Sequence, residues 1–137
     1  MKKQRLFSLL AAVVMLTAGS LNAQTSNPVK ANIPFDFSAG NKTYPAGAYM
    51  VTASSQTGAL SILGPGSTSG LASSQPVQSN NLSGSTKLVF HRYADRYFLH
   101  QIWVAGEARG RELPTTRVEK ELASNATLSP VTVMAQK

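Results

Sequence analysis

From Val29 to Phe37 apolar and polar side chains alternate without a break, with Val29, Ala31, Ile33, Phe35 and Phe37 on one side and Lys30, Asn32, Pro34 and Asp36 on the other. A period of two places one row in a core and the other in solvent, so this stretch is expected to be a strand with one buried face. Pro34 cannot donate to a ladder, which puts the strand at a sheet edge or leaves it paired on one side there. Gly40-Asn41 and Tyr44-Pro45-Ala46-Gly47 carry turn chemistry. Ala48 to Ala53 then resumes the alternation as a second strand, with Tyr49, Val51 and Ala53 on one face.

Lys87 to Val104 holds the strongest signal. Two apolar, aromatic runs flank Ala94-Asp95 and predict a β-hairpin. Pairing Tyr93 with Arg96 sets Arg92 opposite Tyr97, His91 opposite Phe98 and Val89 opposite His100. One face then carries Val89, His91, Tyr93, Arg96, Phe98, His100 and Ile102, and the other Leu88, Phe90, Arg92, Tyr97, Leu99, Gln101 and Trp103. The second face has the bulkier apolar set and is expected to look into the core. Further on, Thr116 and Glu119 have capping-box spacing. A short C-terminal helix follows from it, with Val118 and Leu122 as its docking stripe, Asn125 at its end and a last strand around Val131–Val133.

Between Lys42 and Lys87 lie 44 consecutive uncharged residues, and 22 of the 33 residues from 54 to 86 are Ser, Thr, Gly, Pro or Asn. Composition alone describes a flexible linker. Leu60-Ser61-Ile62 and Leu71 to Val77 read instead as short, weak strands separated by Gly64-Pro65-Gly66. Structureless insertions of this length are uncommon inside compact domains, which favours weak strands joined by mobile loops.

Residues 1–23 are patterned as an address. Lys2, Lys3 and Arg5 precede a 13-residue apolar run, Leu6 to Ala18, broken only by Ser8 and Thr17 and followed by a stretch ending at Ala23. This is the layout of a signal peptide, and the run is shorter than the roughly 20 residues that span a bilayer. Cleavage after Ala23, with Ser20 as the alternative, leaves residues 24–137, which is 137 minus 23 or 114 residues. That is one domain at about 100 to 200 residues each. The expected fold is all-β with one short C-terminal helix, an antiparallel meander forming a small barrel or sandwich.

Composition narrows the chemistry. There is no cysteine, which removes disulfides, thiolate metal sites and cysteine nucleophiles. The formal charge of +7 includes three cations of residues 1–23, so the exported part carries 10 minus 6, or +4, too little for a nucleic-acid footprint. His91 and His100 are diagonal neighbours on one hairpin face, but no spacing fixes a third ligand from Asp36, Asp95 or a glutamate in the 107 to 121 region. Neither a metal nor a cofactor is therefore expected. No Gly-x-Ser-x-Gly elbow is present, and no catalytic residue is assigned. Arg92, Arg96, Arg109, Arg111 and Arg117 interleave with Tyr93, Tyr97 and Trp103, a pattern expected to serve as ion pairs and arginine packing on aromatic rings.

The segments Asn32-Ile33-Pro34-Phe35-Asp36-Phe37, Gly40-Asn41-Lys42, Tyr44-Pro45-Ala46-Gly47, Leu88-Val89-Phe90-His91-Arg92-Tyr93, Asp95-Arg96-Tyr97-Phe98-Leu99, Gln101-Ile102-Trp103 and Gly110-Arg111-Glu112-Leu113-Pro114 resemble those of small exported proteins numerous in acidobacterial genomes. The resemblance covers most of residues 29 to 123 and implies an exported envelope protein of a Gram-negative-type bacterium, with no functional residue to carry over. Two roles fit. One is a non-enzymatic structural or interaction module in the periplasm or outside the cell, with envelope components as partners and no integral membrane segment after cleavage. The other is a small β-barrel carrier for an apolar or sugar ligand, with His91, Tyr93, Phe98, His100 and Trp103 as candidate ligand-binding residues.

Overall fold

The computed structural model describes residues 27–137; the signal-peptide reading of residues 1–23 lies outside them. The described residues are mostly β, with strands β1 (Val29–Ile33), β2 (Phe37–Ala39), β3 (Lys42–Tyr44), β4 (Gly47–Ala53), β5 (Ala59–Leu63), β6 (Ser69–Ser73), β7 (Gln75–Gln78), β8 (Lys87–Tyr93), β9 (Arg96–Trp103), β10 (Arg109–Glu112) and β11 (Leu128–Met134), and one helix among them, α1 (Arg117–Ala123). The first sheet runs β1-β4-β5-β6, and the second β11-β8-β9-β10-β7, with β2 set beside β9 and β3 beside β2.

The expected strand over Val29 to Phe37 is two strands. Burial alternates through it, but β1 ends at Ile33 and β2 starts at Phe37 in the other sheet. Pro34 stands in the crossing, where its missing donor interrupts no ladder. Asp36 anchors the crossing by accepting from the Ala46 amide at 2.8 Å. The topology is consequently no simple meander: β1 pairs with β4, and β2 lies parallel to β9 through Phe37–Tyr97 and Ser38–Phe98.

Nor do the sheets close into a barrel. At one seam the Lys30 and Gln136 main chains exchange two hydrogen bonds, of 2.7 and 2.8 Å. At the other the chain itself passes from β6 to β7 through Ser74. The result is an open sandwich whose core lies between the sheets, with Val29, Ile33, Val51, Leu60 and Ile62 from the first facing Phe37, Tyr44, Leu88, Phe90, Leu99 and Ile102 from the second. Aromatic edges lock one end: Phe37 meets Tyr49 at 5.1 Å and Phe90 at 5.5 Å, both edge-on, and stacks with Tyr44 at 5.2 Å. The uncharged stretch is ordered as β5, β6 and β7, because Leu60 and Ile62 reach full burial despite their polar neighbours.

Tyr44 is fully buried, burial pushes its phenol pKa up, and its hydroxyl has no hydrogen-bond partner among the described residues. Gly70 makes room for it, since a Cβ there would collide with that oxygen. An unpartnered buried hydroxyl is destabilising. Tyr44→Phe is therefore expected to raise stability by about 1 kcal/mol, and Gly70→Ala to lower it by about 1–3 kcal/mol through overpacking. In the double variant most of the Gly70→Ala loss should vanish, which urea denaturation midpoints of the four proteins would test.

Candidate functional site

The hairpin turn places Tyr93 opposite Arg96, with Ala94 at φ 57°, and the pairs Arg92–Tyr97 and His91–Phe98 follow in the expected register. Beyond Phe90–Leu99 the register slips by one. Val89 lies opposite Gln101 rather than His100, so His100 is an inserted residue in β9. Such a bulge puts two consecutive residues against one on the partner strand and reverses which later residues face inward.

The expected faces change accordingly. Leu88, Phe90 and Leu99 join the core and Tyr97 packs against it, as expected, but Ile102 replaces Gln101 and Trp103 on the inner side. Trp103 is buried on the opposite, outer face. There its indole nitrogen donates to the Gln101 side chain at 3.1 Å, Gln101 donates to Glu112 at 3.0 Å, and Gly110 leaves space against the ring.

This outer face also holds His91, Tyr93, Phe98 and His100. The two imidazoles stack at 3.6 Å between centroids with planes 27° apart, and Phe98 meets Tyr93 edge-on at 6.0 Å. Glu119 of α1 reaches into the group. Its carboxylate lies 3.0 Å from His91 Nδ1 and accepts from the Tyr93 hydroxyl at 3.3 Å. Thr116 caps the helix as expected, its Oγ1 accepting from the Glu119 amide at 3.2 Å. The docking residue differs, however: Val118 is 45% exposed, whereas Glu119 is 4% exposed. A carboxylate and not an aliphatic stripe fastens the helix to the sheet, because the surface beneath it offers a histidine and a phenol.

Four of the five candidate ligand residues, His91, Tyr93, Phe98 and His100, thus form one cluster, while Trp103 lies further along the same face. Trp103 borders a separate cavity of about 340 Å³ with Ser79, Asn81, Ser83, Lys87 and Gln101. Glu119 belongs to the glutamates weighed as a third metal ligand, but its oxygen is committed to His91 and the imidazoles lie face to face. No group of three or more His, Asp or Glu is arranged for a metal among the described residues. Three of the five arginines meet the expectation: Arg92 packs over Tyr97 and Arg96 over Phe98, each at 5.6 Å, and Arg117 pairs with Glu121, whereas Arg109 and Arg111 have neither ion pair nor ring contact among the described residues.

Burial lowers the His100 pKa below 6.5, and the neighbouring His91 lowers it further, against smaller opposing effects of Glu112 and Glu119. Burial likewise raises the Tyr93 phenol, assisted by the charge of Glu119. For a histidine depressed in the folded state, the unfolded chain takes up the proton first. Its stabilising effect is complete above pH 6.5 and is lost as pH falls from there through the folded value. An NMR titration should give a His100 midpoint below that of a denatured peptide. His100→Phe, which keeps a ring on the stack, should flatten the loss of stability on the acid side of pH 6.5. Glu119→Ala should cost about 1–3 kcal/mol, since it leaves Tyr93 and His91 without their shared acceptor; an unchanged denaturation midpoint would remove Glu119 as the fastener of α1.

With this geometry in hand, comparison with known proteins finds no matching family model, no matching curated protein and no matching solved structure.

Proposed function

We propose that the protein is an exported, non-enzymatic module of the bacterial envelope that binds an uncharged, extended segment of a partner protein by strand addition at β6. The observation that carries this reading is the open edge of the first sheet. β6 is its terminal strand, and it lies within the run from Lys42 to Lys87 that holds no charge. The Gly64 amide donates to the Thr68 carbonyl and the Ser74 amide to the Gly58 carbonyl, so even-numbered positions of this strand face β5. Ser69, Leu71 and Ser73 therefore turn their main-chain groups outward. Lys42 Nζ donates to the Ser69 carbonyl, leaving the Leu71 and Ser73 groups as the open ones among the described residues.

Strand edges of this kind accept further strands unless charge, proline or a bulge protects them. Beside β6 runs a groove of about 450 Å³, lined by Leu71 to Ser73 of that strand together with residues 40–42 and 114–116. Leu71 is 74% exposed on the outer face of the same strand, a side-chain contact for an incoming segment. The outer-face polar cluster supports a non-enzymatic reading, because the Glu119 oxygen is engaged by His91 and Tyr93 in holding α1. Among the described residues no helix is long and apolar enough to cross a membrane.

Leu71→Pro tests the reading at a position whose amide is not used toward β5. The variant should keep the fold, by an unchanged near-ultraviolet spectrum, and lose retention of an envelope protein from solubilised host envelopes. Self-association is a separate outcome, visible by mass photometry. A wild-type protein that stays monomeric and retains no envelope component above the variant would overturn the reading. The export part is tested by cell fractionation with mass spectrometry, which should find the chain outside the cytoplasm and beginning at Gln24.

A further inference from the structure

The open end of the sandwich remains unused by the strand-edge reading. Between β1, β4 and β5 on one side and β9, β10 and β7 on the other lies a cavity of about 350 Å³. That is within the range of small-molecule sites, about 300–1,000 Å³. Its apolar walls are aliphatic and come from both sheets: Val29, Val51 and Leu60 from one, Ile102 from the other.

Its rim is cationic. Along β10, Gly110 turns toward the Trp103 ring on the outer face, so Arg109 and Arg111 at alternate positions turn toward the cavity that they line. Arg111 Nη2 donates to the Ser54 carbonyl across the cleft at 2.6 Å. Neither arginine forms an ion pair among the described residues, where the pairs are His91–Glu119 and Arg117–Glu121. Glu107 is the one acidic side chain on the cavity wall, which leaves an excess of one positive charge, two minus one. Arg109 stands exposed at the mouth beside the apolar wall, where its planar guanidinium fork matches a carboxylate.

We propose that this cavity binds a single-chain aliphatic carboxylate, with the chain against Val29, Val51, Leu60 and Ile102 and the head group at Arg109. The site is independent of the β6 edge: Leu71→Pro does not touch it, and loss of either binding activity leaves the other standing.

Dodecanoate is the probe, added below its micelle concentration to the purified exported protein, with butanoate and dodecyltrimethylammonium as controls. Methyl NMR signals of Val51, Leu60 and Ile102 should shift saturably with dodecanoate, and the thermal midpoint should rise. Butanoate lacks the chain and the quaternary amine has the wrong charge, so each should bind about tenfold or more weakly. Arg109→Gln should weaken dodecanoate about tenfold, equivalent to about 1.4 kcal/mol, with the ligand-free midpoint unchanged because that side chain is exposed. Ala53→Phe, which fills the half-buried mouth, should abolish the shifts. The proposal fails if dodecanoate produces no saturable shift, if the cationic amphiphile binds equally, or if Ala53→Phe leaves binding intact.

Discussion

A single extra residue in β9 determines what each face of the second sheet can do. His100 has no partner of its own on β8: its carbonyl accepts from the Leu113 amide beyond β10 at 2.9 Å, while Val89 pairs with Gln101. Without the insertion, the period of two would carry Trp103 and Gln101 into the core and Ile102 out of it. A buried glutamine amide between apolar sheets would need partners the core does not offer. With the insertion, Gln101 meets Glu112 and Trp103 on the outer face, and a slim isoleucine fills the inner position. The aliphatic end of the inter-sheet cavity follows from the same substitution of Ile102 for an indole, which would occupy that space.

The outer face then needs a cover, and its polarity selects the kind. His91, Tyr93 and His100 present hydrogen-bonding groups over an otherwise apolar patch containing the buried Phe98. A cover bearing an acceptor satisfies His91 and Tyr93. Helix α1 is only seven residues long, too short to be stable on its own at the roughly 12–15 residues an isolated helix needs. Its order therefore comes from Glu119, a buried charge held by Tyr93 and His91, together with the Thr116 cap. Pairs of this kind are fastenings more than net sources of stability, because desolvation offsets most of the attraction. What they supply is a fixed position for the helix.

Much of the fold was legible in the chain. The hairpin turn and its first pairs follow from the two aromatic runs about Ala94-Asp95, and the weak strand at Leu60–Ile62 follows from apolar residues at alternate places among serines and glycines, whereas Leu71 to Val77 is divided at Ser74 between β6 and β7 of different sheets. The bulge was hidden because neither glycine nor proline marks it. Its only trace is that Leu99 and Ile102, both inward, are three apart where a regular strand would space them by two or four. The split between β1 and β2 was hidden for the opposite reason: burial keeps its alternation across Pro34 while the backbone changes sheets. Glu119 was legible as a capping residue but not as a buried one, since spacing along a helix says nothing of what lies across from it.

Charge is divided along the chain, and this division gives the two proposed binding regions their different chemistry. β4, β5, β6 and β7 carry no charged residue, while Lys87 to Glu121 carries seven cations and five anions. An incoming strand at β6 thus meets main-chain groups and neutral side chains, with Lys42 at its Ser69 end as the one charge lining the groove, and selection there rests mainly on hydrogen bonding and shape. At the open end, β10 brings Arg109 and Arg111 to the border of an aliphatic wall built mainly by the first sheet. Cation and hydrocarbon sit side by side because each comes from a different sheet. No single amphipathic strand could arrange this, since alternation would put them on opposite faces; it takes two sheets meeting at an unclosed end.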